Sequence, residues 1–140
     1  MKTLRIYGPP EAALPFDLRD ILQRLAPRTL RASWRVSAVD AGYQWFDATG
    51  PGGDVLESWA QSGSMIEGRH LAAAVQDVLQ IIWGEFTGFL PGTPNSPWIV
   101  IRAIDSTFYE ITTDDETVLQ RVETGFQGAR RSDAPWKPAD

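Results

Sequence analysis

The sequence predicts an α+β fold, a single domain in which a mainly antiparallel sheet of about five to six strands packs against one long helix and two shorter helices. Three observations carry this reading. The chain has 140 residues, the usual size of one domain with one core. Apolar and polar residues alternate at period two around residues 3–7 and 30–38. Segments beginning near residues 18, 65 and 116 repeat instead at helical spacing.

"TLRIY" (3–7) alternates and stops at Gly8-Pro9-Pro10, which gives a first strand. "PFDLRDILQRLAPR" (15–28) sets Leu18, Ile21, Leu22 and Leu25 on one stripe, with Asp17 at its start and Pro27 beyond its end. In "LRASWRVSAVD" (30–40), Leu30, Ala32, Trp34, Val36 and Ala38 share one strand face, and Arg31, Ser33, Arg35 and Ser37 share the other. Turns at Asp40-Ala41-Gly42 and Gly50-Pro51-Gly52-Gly53 then lead through "YQWFDA" into "DVLESWAQ" (54–61), which completes a three-stranded meander; "DVLESWA" also fits a helix start.

Ser64 and Glu67 have capping-box spacing, and a long helix over 65–88 follows, with Leu71, Val75, Val78, Ile82, Phe86 and Phe89 as its stripe. Gly84 in that helix marks a close contact or a kink beside Trp83. After the loop "PGTPNSP", "WIVIRAI" (98–104) reads as a central strand and "TFYEITT" (107–113) as its antiparallel neighbour, with Asp105-Ser106 at the turn. Thr113 and Glu116 introduce a last helix through Val118, Leu119, Val122 and Phe126. The domain is expected over 1–128, and 129–140 as a flexible tail in which Trp136 alone docks.

Composition narrows the function. Without cysteine there is no disulfide, thiolate metal site or cysteine nucleophile, which fits a reducing cytoplasm. "MKTLRIYGPP" lacks the apolar run of a signal peptide, and "LAAAVQDVLQIIWGEFTGFL" is interrupted by Gln76, Asp77, Gln80 and Glu85, so no membrane span is expected. Residues 1–40 carry a net charge of +3, residues 41–126 carry −9 and residues 127–140 carry +1. An acidic middle repels phosphate backbones and attracts a basic partner, which argues against nucleic acid.

Candidate chemistry is sparse. Asp105, Ser106 and His70 supply the residue types of a hydrolytic triad but lack a nucleophile-elbow context. Asp114-Asp115-Glu116, beside Glu110 and Asp105, is the densest carboxylate group; three adjacent acids diverge, and they are better read as helix-capping charges than as a metal site. "TGPGGD" lacks the Lys-Ser/Thr of a phosphate loop and reads as a hairpin turn. No catalytic residue, metal site or cofactor is assigned. What remains is aromatics beside acids: Tyr43, Trp45 and Asp47 at one strand parity, and Glu57 and Trp59 on the next strand. Glu85, in an apolar context, needs a partner such as Arg102.

"QIIWGEFTGF" (80–89) and "IRAIDSTFYEITTDDE" (101–116) resemble segments of small cytoplasmic immunity proteins that accompany bacterial polymorphic or contact-dependent toxins. The resemblance implies a protein that binds a cognate toxin domain and has no chemistry of its own; it carries no residue roles with it. The leading expectation is therefore a non-catalytic antitoxin-like module that captures a basic protein through Trp45, Asp47, Glu57, Trp59, Asp105, Tyr109, Glu110, Asp114 and Asp115. Two other classes stay open. One is a small enzyme or ligand-binding domain with a pocket between long helix and sheet lined by Trp83, Glu85 and Arg102. The other is a homodimer or complex subunit that hides its aromatics against a partner.

Overall fold

The computed structural model describes residues 1–10, 12–39 and 46–138. Its elements run β1 (Lys2–Tyr7), α1 (Leu18–Arg24), α2 (Arg28–Arg31), β2 (Ser33–Ser37), β3 (Asp47–Thr49), α3 (Pro51–Ser62), β4 (Met65–Glu67), α4 (Gly68–Val75), β5 (Gln80–Phe89), β6 (Ile99–Ile104), β7 (Phe108–Thr113), α5 (Glu116–Gly125) and β8 (Ala129–Ser132). The strands form one antiparallel sheet in the order β4-β2-β5-β6-β7-β1-β8, and β3 pairs with β5. β3 resumes the line of β2 along β5, because Ser37 faces Glu85 and Asp47 faces Trp83.

Alternation places the core on one face of this sheet. Leu4, Ile111, Ile101, Phe86 and Val36 are cross-strand neighbours in one row, and they are buried under Leu18, Ile21, Leu22, Leu56, Leu71, Val118 and Leu119 of the helices. The opposite face carries a smaller apolar cluster of Val39, Trp83, Ile104 and Phe108. The α+β class and the mainly antiparallel sheet are as the sequence predicts; among the described residues the sheet has eight strands, not five to six, and is accompanied by five helices, none of them the expected long one.

The expected long helix over 65–88 does not form. β4 and the short α4 occupy its first half, and its second half is β5, ten residues long. The stripe that suggested a helix coexists with a period-two pattern in which Glu85 and Thr87 alternate with Gly84, Phe86 and Gly88. Both glycines make close contacts: a Cβ on Gly84 would lie 2.5 Å from the Phe46 ring, which would have to shift, and one on Gly88 would sit tightly, 3.0 Å from the Trp34 ring. A register shift opposite Asp47/Ala48 leaves Ile82 as an extra residue, which turns Ile81 to the helical face and Trp83 to the other.

"DVLESWAQ" is helical, and "TGPGGD" is not a hairpin turn. Gly50 (φ 90°) caps α3 and Pro51 takes its first turn, a start signal that the glycine-rich composition obscured. Leu30 leaves the predicted strand for α2 and is exposed. Ser64–Glu67 is no capping box: α4 starts at Gly68 with Glu67 itself in the N-cap position, and the Glu67 carboxylate pairs with Arg69 at 2.8 Å. At α5 the cap is Asp115 instead of Thr113, whose hydroxyl donates to the Trp98 carbonyl at 2.6 Å. The segment after residue 128 is not wholly a tail: Ala129–Ser132 pairs with β1. The turn expected at 40–42 and the first half of "YQWFDA", with Tyr43 and Trp45, lie outside the described residues.

Candidate functional site

The sheet face without helices carries a row of charged side chains. Arg130 (β8), Arg5 (β1), Glu110 (β7), Arg102 (β6) and Glu85 (β5) are successive cross-strand partners, so alternation sends all of them to the same side. Arg102 lies between two carboxylates, its Nε donating to Glu85 Oε1 at 2.9 Å and a terminal nitrogen to Glu110 Oε1 at 3.2 Å. Arg5 Nε donates to Glu110 Oε2 at 3.3 Å. Glu110 is 0% exposed and Arg102 8%. Burial on this scale requires the pairing, because a lone buried charge costs several kcal/mol. The C-terminal segment lies over the row: the backbone N–H of Trp136 donates to Glu110 Oε2 at 2.8 Å, and Arg102 donates to the Trp136 carbonyl at 3.2 Å. The Trp136 ring packs on Trp83 at 5.5 Å between centroids.

The expected pocket residues Trp83, Glu85 and Arg102 are thus together, and the Arg–Glu pair is formed. They lie on the face away from the helices, not between helix and sheet. Their charged groups engage one another and the C-terminal segment.

The residues expected to bind a partner are dispersed. Tyr109 is buried on the helical face and donates its hydroxyl to Asp17, the N-cap of α1. Burial raises the Asp17 carboxyl above its ordinary value, against hydrogen bonds from Tyr109 and the Leu18 backbone; burial and the Asp17 charge push the Tyr109 phenol well up. Asp115 accepts from the Trp98 indole at 3.0 Å and from Arg28. Burial alone would raise its pKa, but those bonds and the N–H of Val118 hold it below the usual range. Asp114 pairs with the N-terminal amine at 3.1 Å. Asp105 is exposed in a tight turn with Ser106, both in the left-handed region at φ 51° and 55°. His70 lies on α4, an element apart from that turn. Trp59 is half-buried against the core, and Trp34, Trp83 and Trp98 are buried. Most of the tryptophan surplus therefore fills the interior.

A different surface gathers the acids. From Val36 to Gly68 the sequence has no Lys or Arg, and it has five acidic residues. Within that stretch Asp54 and Glu57 are exposed on α3, and Asp47 lies on the adjoining β3. The connection between α4 and β5 is stitched to the same place, with Gly52 N–H donating to the Asp77 carbonyl at 3.0 Å and Leu79 N–H to the Thr49 carbonyl at 2.9 Å. Asp77 is exposed, as are Val55 (41%) and Leu79 (76%). Among the described residues, Asp47, Asp54, Glu57 and Asp77 form no ion pair, whereas Asp114, Asp115, Glu116 and Glu123 near α5 all do. Of these residues only Asp47 and Glu57 belong to the expected site. Asp54 lies in the base-free run, which was the signal that could have found it, whereas Asp77 follows Arg69 and was set apart by the helix expected over 65–88.

Among the described residues no cluster of three or more His or acidic side chains is placed to hold a metal, and no helix is long and apolar enough to cross a membrane. Comparison with protein-family models, curated proteins and solved structures finds no match for this chain.

Proposed function

We propose that the chain is a non-catalytic binding module for a basic protein, acting as an immunity-type inhibitor that occupies or holds its partner. The observation that carries this reading is the unpaired acidic surface around α3, where Asp47, Asp54, Glu57 and Asp77 surround the exposed Val55 and Leu79. Unpaired acids keep their field available for steering, and exposed aliphatic side chains supply apolar area to bury after encounter. Carboxylates already neutralised, such as Glu85 and Glu110, contribute little to either. The resemblance of residues 80–89 and 101–116 to immunity proteins supports the same kind of partner, and the acidic α3 surface supports this face as the contact.

The test is capture from the native host with a tagged chain, followed by reconstitution from purified components and light scattering. The reading expects a stoichiometric complex with one basic protein that weakens as salt rises and is lost on charge reversal at Asp54 and Glu57. A partner indifferent to salt and to those charges would contradict it.

A small-ligand reading has one observation in its favour, a groove of about 290 Å³ between α1, α2 and α4, lined by Leu22, Thr29, Leu30, Ala72 and Val75 with Arg19 at hand. A thermal-shift screen against metabolites tests it, because a ligand specific to the folded state raises Tm.

A further inference from the structure

The C-terminal segment is held in a way that resembles the binding of a peptide by a protein. Its anchor is recognised through backbone as well as side chain: Glu110 accepts the Trp136 N–H at 2.8 Å, Arg102 donates to the Trp136 carbonyl at 3.2 Å, and the indole packs on Trp83 at 5.5 Å. Two residues earlier, the Ala134 carbonyl accepts from Ser132 Oγ at 3.1 Å and from Arg5 at 3.5 Å. Recognition of both polar groups of one residue is independent of which side chain that residue bears, and the aromatic platform adds the selectivity.

The charges that do this work do not depend on the segment for their pairing. Arg102 keeps Glu85 and Glu110, and Glu110 keeps Arg5, when Trp136 is lifted away. The site is therefore preorganised, and what the segment adds is a roof. No strand pairing holds residues 133–138, in contrast to β8 immediately before them.

We infer that this sheet face is a peptide-binding site, occupied in the isolated chain by its own C-terminal segment and open to an extended tryptophan-bearing segment of another protein once that segment is displaced. The surface is on the far side of the sheet from α3, and the inference does not rest on the acidic face. A short tether gives the resident segment an effective concentration of about millimolar, so an external peptide at micromolar concentration cannot displace it in the native chain. Weakening the resident anchor should reveal the site.

The experiment uses the full-length chain with Trp136→Ala and a fluorescein-labelled peptide, SDAPWKP, which is the sequence of residues 132–138. Fluorescence anisotropy should show saturable binding to Trp136→Ala at least about tenfold tighter than to the native chain, as the lost tether competition requires. The same peptide with alanine in place of its tryptophan should not bind. A folded Trp136→Ala chain that fails to bind, or equal binding to variant and native chains, would overturn the inference. If Trp136→Ala does not fold, Trp136→Leu retains an apolar roof and is put to the same comparison. If neither folds, the segment is an indispensable part of the core and not a displaceable occupant, which also refutes the inference.

Discussion

Arg102 and Glu110 are direct cross-strand partners in the middle of the sheet, joined at 3.2 Å, with the carboxylate wholly withdrawn from solvent. Removing the cation leaves Glu110 with Arg5 and the Trp136 N–H, and takes from Glu85 its ion-pair partner among the described residues. Arg102→Met should therefore destabilise the chain by about 3 kcal/mol, the lower end of the range for breaking a buried pair, because Arg5 remains. Arg130, the exposed end of the same row, should tolerate Ala within about 0.5 kcal/mol. Urea unfolding with an unchanged m-value measures both. Equal effects at the two positions would show that the row is not energetically graded by burial.

Two aspartates at helix starts should give opposite pH responses. Asp17 is raised on folding, so its contribution is fully present below its unfolded value of about 3.9 and is lost as pH rises through the higher folded value. Asp115 is lowered, so its contribution is present above about 3.9 and is lost as pH falls through the lower folded value. Asparagine can cap a helix in either place. Between about pH 6 and pH 3, Asp115→Asn should lose stability less steeply than the native chain, and Asp17→Asn more steeply. Urea midpoints across that range check the signs, and the reverse order would contradict the assigned environments.

Gly68→Ala sets helix propensity against packing. Gly68 is the first residue of α4, where alanine gains less than the about 1 kcal/mol it holds over glycine in a helix interior, and a Cβ there would meet the carbonyl oxygen of Thr29 and lie 2.7 Å from that of Leu30. Both obstacles are backbone, and Gly68 N–H donates to the Ala32 carbonyl at 2.8 Å, so neither side can move freely. The substitution should lower stability by about 1–3 kcal/mol, as overpacking does, and a raised Tm would contradict the close approach of α4 to α2.

Residues that obey one strong local rule were legible in the sequence. β1, α1 and α5 carry clear periodicity, β6 is a short run apolar on both faces with β7 as its neighbour, and Asp17 and Pro27 bracket α1 as expected. The segment 80–89 was misread because its apolar residues satisfy both periods. What decides for strand is the room its glycines leave for Phe46 and Trp34, a tertiary fact. The charged row was visible as single charges inside apolar strand runs, Arg5 in "LRIY", Arg102 in "VIRAI" and Glu110 in "FYEIT". Their alignment depends on register, which no one segment contains. Strand alternation by itself puts Tyr109 and Glu110, adjacent in sequence and both expected at a binding surface, on opposite faces, and both are buried there.

The most direct measurement of the proposed function is the association rate of the captured basic protein with the native chain and with Asp54→Lys/Glu57→Lys, followed by stopped flow as ionic strength is raised. Acidic steering from α3 predicts a native rate that falls steeply with salt and a double variant at least about tenfold slower at low salt, the two converging at high salt. Identical rates at low ionic strength would show that the α3 surface is not where the partner docks.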